Sequence, residues 1–362
     1  MEYRFLGTTG LRVSTLCLGG MAFGHDADEK TSCKMMDFFM EAGGNFIDTS
    51  NNYSGSEEII GSWLKKKANR RQVILSSKVR FPTGERGQND VGLSRRHIID
   101  ALDDSLRRLQ TDYLDVYQAH CWDFVTPIEE TMRAFNDVVT QGKVRYIGAS
   151  NFGGWHLMKA LSASDINGWC RFVNLQSQYS LITRTPEWEI LPACRAEGIT
   201  VTAWSPLAAG WLTGKYARDT IPPADSRMGH VIKSRDEWDS FQKADSNIAI
   251  IPHPHKMEAE KESKRIVKVQ ENERRWRIID AVRDVAKKRD RSCAQVSLAW
   301  ILTQPGVLGP VLGARTLEQL QDNLGSVGWK LSAEETGWLN EVSDPGSPYP
   351  LDFFQEYGIP WR

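Results

Sequence analysis

Short runs of β-branched and other apolar residues recur along the chain, separated by longer stretches whose apolar positions fall three and four apart. The short runs are STLCLG, NFID, VILSSKV, YLDVYQAH, VRYIGAS, FVNLQ, ITVTAWS and GVLGPVLG, and they predict eight strands. Helices are predicted between them, among others over 30–42, 57–67, 94–109, 128–141 and 187–197. Gly43 and Gly44 follow the first of these, Ser94 stands where the third needs a cap, and Gly198 ends the last. Strand and helix in alternation imply parallel strands, and eight such units close into a (β/α)8 TIM barrel. A doubly wound sheet is the rival. No G-x-G-x-x-G turn follows the first strand, which weakens its dinucleotide-binding form.

Two regions break the repeat. EYRFLGTTGLRVS places a glycine-bearing turn between two extended pieces and predicts an N-terminal β-hairpin capping the barrel floor. Residues 216–274 form a long loop insertion after the seventh strand, rich in Pro, His and charge, as expected of a lid or a partly disordered segment. Ile266, Val269, Trp276, Ile279, Val282 and Ala286 are near helical spacing, and the mixed charges around them suit a solvated helix face better than a nucleic-acid patch. A single domain over residues 1–362 is expected, with 216–274 as its insertion.

Composition narrows the function. A formal net charge of -1 gives no general attraction to nucleic acid or to an anionic membrane. No apolar run reaches membrane-spanning length, and the polar opening MEYRFLGTTG does not resemble a signal peptide, so a soluble, cytoplasmic protein is expected. Cys17, Cys33, Cys121, Cys170, Cys194 and Cys293 are scattered without zinc-type spacing, so reduced thiols and no metal are expected.

The candidate chemistry lies at the strand ends, where a barrel of this kind gathers its active site. Asp48 ends the second strand, Tyr53 follows in its loop, Lys78 ends the third and His120 the fourth. Each has an ordinary reading: a turn-forming Asp, a Tyr packing its ring, a Lys turned to solvent, a satisfied half-buried His. One mechanism accounts for all four. Lys78 beside the phenol would favour phenolate and lower the Tyr53 pKa from its usual ~10, while Asp48 compensates the buried ammonium. Tyr53 then donates a proton, and a His120 ring N–H holds the oxygen of a carbonyl.

With these residues in place the chain resembles the aldo-keto reductase superfamily, through NFIDTSNNYSGSEEIIGSWL, SSKV, YLDVYQAH, GKVRYIGASNF, LQSQYSL, WSPLAAGWLTGKY and GARTLEQLQDNL in order. It looks most like the aryl-alcohol dehydrogenase-like branch, through MEYRFLGTTGLRVSTLCLGGMAFG and PYPLDFF. The resemblance implies a barrel that reduces small aldehydes or ketones with a nicotinamide cofactor, usually NADP(H), through the tetrad Asp48, Tyr53, Lys78 and His120. It also implies that Ser150, Asn151 and Gln176 bond the nicotinamide carboxamide and that Trp204 stacks on its ring. Ser205, Pro206, Leu207 and Gly210 would surround the pyrophosphate, with Gly20, Met21 and Asp48 in the same cofactor set. Cofactor-binding β subunits of potassium channels share the pattern and supply the alternative, a regulatory subunit. Their position matching His120 is typically Asn, and His here favours an enzyme.

At the adenosine end, Gly313 to Thr316 open a helix whose free N–H groups attract phosphate, and Arg315 adds a fixed charge. Arg315, Gln319 and Asn323 are four apart and are expected on one face, with Asp322 beside them. Lys215 and Arg227 match positions that reach the 2'-phosphate, so NADPH is expected over NADH. Phe23, Phe81, Trp122 and Trp211 follow barrel strands and, with Tyr53 and His120, are expected to line the substrate pocket. Aromatic walls favour aromatic aldehydes over open-chain sugars, whose hydroxyls would lose hydrogen bonds.

Overall fold

A computed structural model describes residues 1–83, 87–226, 228, 229, 232, 234, 236, 237 and 272–357. Most of the 216–274 insertion, with Arg227, Ile266 and Val269, lies outside them. The eight predicted strand runs all form strands: β3 (Cys17–Gly19), β4 (Phe46–Asp48), β5 (Ile74–Val79), β6 (Leu114–Ala119), β7 (Val144–Ser150), β8 (Phe172–Gln178), β9 (Thr200–Trp204) and β10 (Val307–Leu312). They close into a parallel barrel in sequence order, with β10 returning to β3. Each is short, as suits a strand buried on both faces.

Side chains alternate across a strand, and this decides what each residue meets. Ile47, Leu75, Tyr117, Ile147, Leu175 and Val201 point outward into the large core shared with the helices. The other parity points into the barrel. At the floor, Cys17, Phe46, Val116 and Val311 join Leu6 and Val13 of the hairpin β1 (Tyr3–Phe5) and β2 (Arg12–Ser14) in a separate apolar cluster. The hairpin plugs the barrel; Arg4 ties it to β10 through the carbonyls of Val307 (2.8 Å) and Leu308 (3.2 Å). Above that floor the interior turns polar. Ser76, Gln118, Asn174 and Thr202 are buried there, beneath Asp48, Lys78, Ser150 and Gln176.

The surrounding helices are α1 (Glu29–Glu41), α2 (Ser56–Lys67), α3 (Arg95–Arg108), α4 (Ile128–Thr140), α5 (Gly154–Asn167) and α6 (Ile190–Ala196). After the insertion come α7 (Asn272–Arg289), α8 (Cys293–Leu302), α9 (Leu317–Leu324) and α10 (Ala333–Ser343). Ser94 caps α3, accepting the His97 N–H, as its position suggests. The helix expected over 187–197 is shorter. Thr185–Glu187 forms a 3-10 turn around Pro186, and the Glu189 backbone breaks the path before α6. Helix α5 fills the stretch between the fifth and sixth predicted strands, starting directly after Gly153. Gly154 is there for close approach, since a Cβ would come 3.1 Å from Glu189 Cβ. No helix among the described residues is long and apolar enough to cross a membrane.

Candidate active site

Asp48 and Lys78 meet inside the barrel mouth. They sit on adjacent strands at inward positions, and both are almost completely buried. Lys78 Nζ pairs with Asp48 Oδ2 and donates to the Thr49 carbonyl at 2.8 Å. Lys78 is followed by Val79, which ends β5, and His120 stands one residue past β6. The lysine therefore cannot reach solvent. Burial by itself would lower its pKa; the Asp48 carboxylate, with Tyr53 adding to it, outweighs burial and holds the ammonium above the ordinary lysine value.

Tyr53 lies over this pair, with Lys78 Nζ 5.0 Å from its ring centroid. Its half-open ring meets His120 edge-on at 5.8 Å, and Phe81 closes the other side of the imidazole at 4.9 Å. The expected lowering of the Tyr53 pKa is overturned. Burial raises it, Lys78 opposes that, and Asp48 adds to the rise, so the phenol is held above its ordinary value. The carboxylate that offsets the charge of the lysine also opposes its pull on the phenol.

His120 is oriented by Ser50, which was not among the expected site residues, and by Asn151, which was. His120 Nδ1 lies 3.0 Å from Ser50 Oγ, which donates to Asn52 Oδ1 at 2.7 Å. A hydroxyl has one hydrogen, so where Ser50 spends it selects the imidazole tautomer. Asn151 Nδ2 donates to the His120 carbonyl at 2.9 Å, and Trp204 Nε1 donates to Asn151 Oδ1 at 3.1 Å. Gln118 shares the inward parity of His120 on β6. Its Nε2 and that of Gln176 each reach Asp48 Oδ1 at 3.1 Å. Polar residues at strand positions i and i-2 were the available signal.

The residues assigned to a nicotinamide cofactor gather on the same rim for the most part. Ser150 and Gln176 are buried at the barrel mouth, and Asn151 Nδ2 lies 3.0 Å from Ser150 Oγ. Hydroxyl and amide groups so close together suit a carboxamide, which both donates and accepts. The backbone at these positions is unusual. Asn151 (φ 55°), Ser205 (φ 53°), Ala208 (φ 47°) and Ala209 (φ 56°) are left-handed, and such non-glycine strain gathers at ligand sites. Gly210 has φ 93°, and a Cβ there would come 2.7 Å from Lys215 Cε. A Cβ on Gly20 would meet Ser56 Oγ at 2.7 Å and the Asp48 carbonyl at 3.3 Å, while Met21 beside it is exposed. The donor set and the open backbone fit a nicotinamide cofactor.

At the distal end the expected shared face is only partly formed. Arg315 precedes Thr316, the extended residue that caps α9, so it lies outside the helix. Its N–H donates to Gln319 Oε1 at 2.9 Å. Asn323 is buried, and the Asp322 carboxylate is engaged by Ser292 Oγ (2.8 Å) and Gln295 Nε2 (3.0 Å), which anchors α8. Gly313 is exposed.

The aromatic residues divide. Phe81 touches His120, while Trp122 leans on the first turn of α5 and the loop before it, stacked on His156 at 4.3 Å and edge-on to Phe152 at 5.3 Å. Phe23 is buried in the core. Trp211, expected on the pocket wall, is enclosed by Tyr216 (5.0 Å) and Trp276 (5.7 Å), with the Arg275 guanidinium 4.5 Å from its centroid. Arg275 and Trp276 of α7, just past the insertion, supply much of that cover. Among the described residues no cluster of His, Cys, Asp and Glu could hold a metal ion.

Comparison with known proteins agrees with this geometry. The model of the Aldo/keto reductase family matches residues 15–344. The chain is 39% identical over 361 residues to the uncharacterized oxidoreductase YrpG of Bacillus subtilis, covering 97% of this chain and 98% of that protein. It is 33% identical to a putative aryl-alcohol dehydrogenase of Schizosaccharomyces pombe, over 96% of this chain and 97% of that one. A probable voltage-gated potassium channel subunit beta of Oryza sativa subsp. japonica is also 33% identical, over 90% of each chain.

Proposed function

This chain belongs to the aldo/keto reductase family, oxidoreductases acting on carbonyl groups, and on that premise we propose that it reduces aldehydes or ketones to alcohols with NADPH, with Tyr53 as the proton donor and aromatic aldehydes favoured. The observation that carries this reading is the buried Asp48–Lys78 pair lying under the Tyr53 ring, with His120 beside it. A bound reduced nicotinamide would supply the hydride for the carbonyl carbon. Ser150, Asn151 and Gln176 would hold its carboxamide, Trp204 its ring, the Ser205–Gly210 loop the pyrophosphate, and Arg315 with Lys215 the 2'-phosphate.

The remaining work falls to the side chains of the rim. His120 holds the carbonyl oxygen by an Nε2–H, which requires the Ser50 hydrogen to turn from Asn52 Oδ1 to His120 Nδ1. Tyr53 passes its proton to that oxygen as negative charge develops there. Its raised pKa keeps it protonated at neutral pH, and an incipient alkoxide is a far stronger base than phenolate, so the transfer runs downhill. Lys78 stabilises the phenolate left behind, and Asp48 keeps Lys78 charged while it does so.

Steady-state oxidation of NADPH by the purified protein with a panel of aldehydes tests the proposal. Many turnovers per protein support the enzyme. The rice channel relative supplies the competing reading, and stoichiometric cofactor release without turnover would favour a regulatory subunit.

Two narrower expectations follow. Arg315→Ala should weaken NADPH by about 1.5–3 kcal/mol, the worth of a charge-assisted contact, while NADH changes little. Fluorescence titration with both cofactors measures this, and equal losses would remove Arg315 from 2'-phosphate recognition. Trp122→Ala should lower the ratio of kcat/KM for a nitrobenzaldehyde to that for an open-chain sugar by roughly two- to tenfold, equivalent to one aromatic contact. Unchanged selectivity would make the Trp122–His156 stack a support for the loop alone.

A further inference from the structure

We propose that Gln118 is a positioning residue of the reaction, holding Asp48 so that its other carboxylate oxygen stays on Lys78. The inference rests on the reductase reading above. Gln118 is an inward residue of β6, in register with Lys78 on β5 and Gly148 on β7. It is completely buried in the polar layer directly below the Asp48–Lys78 pair.

Its amide has two hydrogens and both are committed. Nε2 donates to Asp48 Oδ1 at 3.1 Å and to Ser76 Oγ at 2.6 Å. Ser76 is paired in register with Asp48 itself, so the serine anchors the amide to the strand that flanks the acid. Turning the amide over would set its oxygen against a carboxylate oxygen, which is repulsive. The orientation shown leaves Oε1 buried with no hydrogen bond among the described residues. A buried acceptor without a partner is a cost that an apolar residue of similar size would avoid, and such exceptions gather at functional sites. Space is kept for the side chain as well. A Cβ on Gly148 would come 3.1 Å from Gln118 Cγ.

Gln176 is the second donor to the same oxygen, also at 3.1 Å. The family resemblance assigns Gln176 to the nicotinamide carboxamide. When Gln176 turns to that duty, Gln118 is the amide that remains on Oδ1. Asp48 then keeps one oxygen on Gln118 and the other on Lys78, and the ammonium stays under Tyr53. Gln118 touches neither substrate nor cofactor in this scheme; it acts through Asp48.

The test compares wild type, Gln118→Leu and Gln118→Glu by kcat, KM, cofactor Kd from fluorescence titration, Tm and the pH profile of kcat. Gln118→Leu is expected to lower kcat roughly tenfold, the loss of one hydrogen bond to a charged group, with cofactor Kd and substrate KM within about twofold of wild type. Gln118→Glu keeps the shape. Its neutral carboxyl still donates to Asp48 at low pH, so kcat should approach wild type there. As the pH rises its ionisation sets a second negative charge beside Asp48, and kcat should fall with an ionisation seen in neither wild type nor Gln118→Leu. If both variants only lower Tm while kcat and its pH profile match wild type, Gln118 is barrel filling and the proposal is overturned. Should Gln118→Leu fail to fold, the profile of the near-isosteric Gln118→Glu decides alone. A wild-type protein that binds NADPH but turns over no carbonyl compound overturns the reductase reading first, and this inference with it.

Discussion

Tyr53→Phe is expected to cut turnover by about 10²- to 10⁴-fold, the range for loss of a general acid, while cofactor binding stays close to wild type. The ring and its edge contact with His120 survive the change, and only the transferable proton is removed. Stopped-flow and steady-state kinetics beside a fluorescence titration separate the two effects. A variant keeping more than roughly a tenth of wild-type turnover would remove Tyr53 from the donor role. The pH dependence carries an equally definite sign. Burial holds the Tyr53 phenol above its ordinary value, so the protonated, competent form fills the whole neutral range. Reduction should therefore stay level through neutrality and lose its donor only above the ordinary tyrosine value of ~10. A decline of kcat/KM centred near neutrality, traced to Tyr53 by its absence in Tyr53→Phe, would mean that Lys78 prevails over burial after all.

Removing one member of the buried ion pair is expected to cost more stability than removing both. Asp48→Leu leaves the Lys78 ammonium buried with the Thr49 carbonyl and the Tyr53 side chain but no carboxylate. Lys78→Met leaves the Asp48 carboxylate with two glutamine amides and no cation. Breaking a buried pair in this way typically costs about 3–5 kcal/mol, whereas replacing both partners by apolar residues is often close to neutral. Urea unfolding of the two single variants and the double variant closes the cycle, and simple additivity would deny the coupling. The pH sign follows from the raised folded value of Lys78. Its stabilisation is fully present below the ordinary lysine value of ~10.4 and disappears as pH climbs through the higher folded value. Across the neutral range the wild-type margin over Lys78→Met should therefore not change through this group.

The strands and the identity of the acid, the phenol, the lysine and the imidazole were legible because they depend on local order. Each apolar run is bounded by turn residues, and Asp48, Lys78 and His120 fall at or beside the ends of such runs. Alternation along a strand then puts Lys78 and Ser76, or His120 and Gln118, on one side. What lies across the barrel from a residue is another matter, since it depends on register between strands far apart in sequence. Gln118 and Gln176 meet on Asp48 across 58 positions of chain only because β6, β7 and β8 close the barrel beside β4 and β5. Trp211 reads as a rim aromatic until α7 folds over it. Arg315 is four residues from Gln319, yet a capping threonine between them leaves it outside the helix whose face it was expected to share. The direction of the Tyr53 shift is the clearest case of what tertiary structure alone decides. The sequence names the lysine that would lower it and the aspartate that opposes this, but the balance is set by how the closed barrel buries the pair and desolvates the phenol above it.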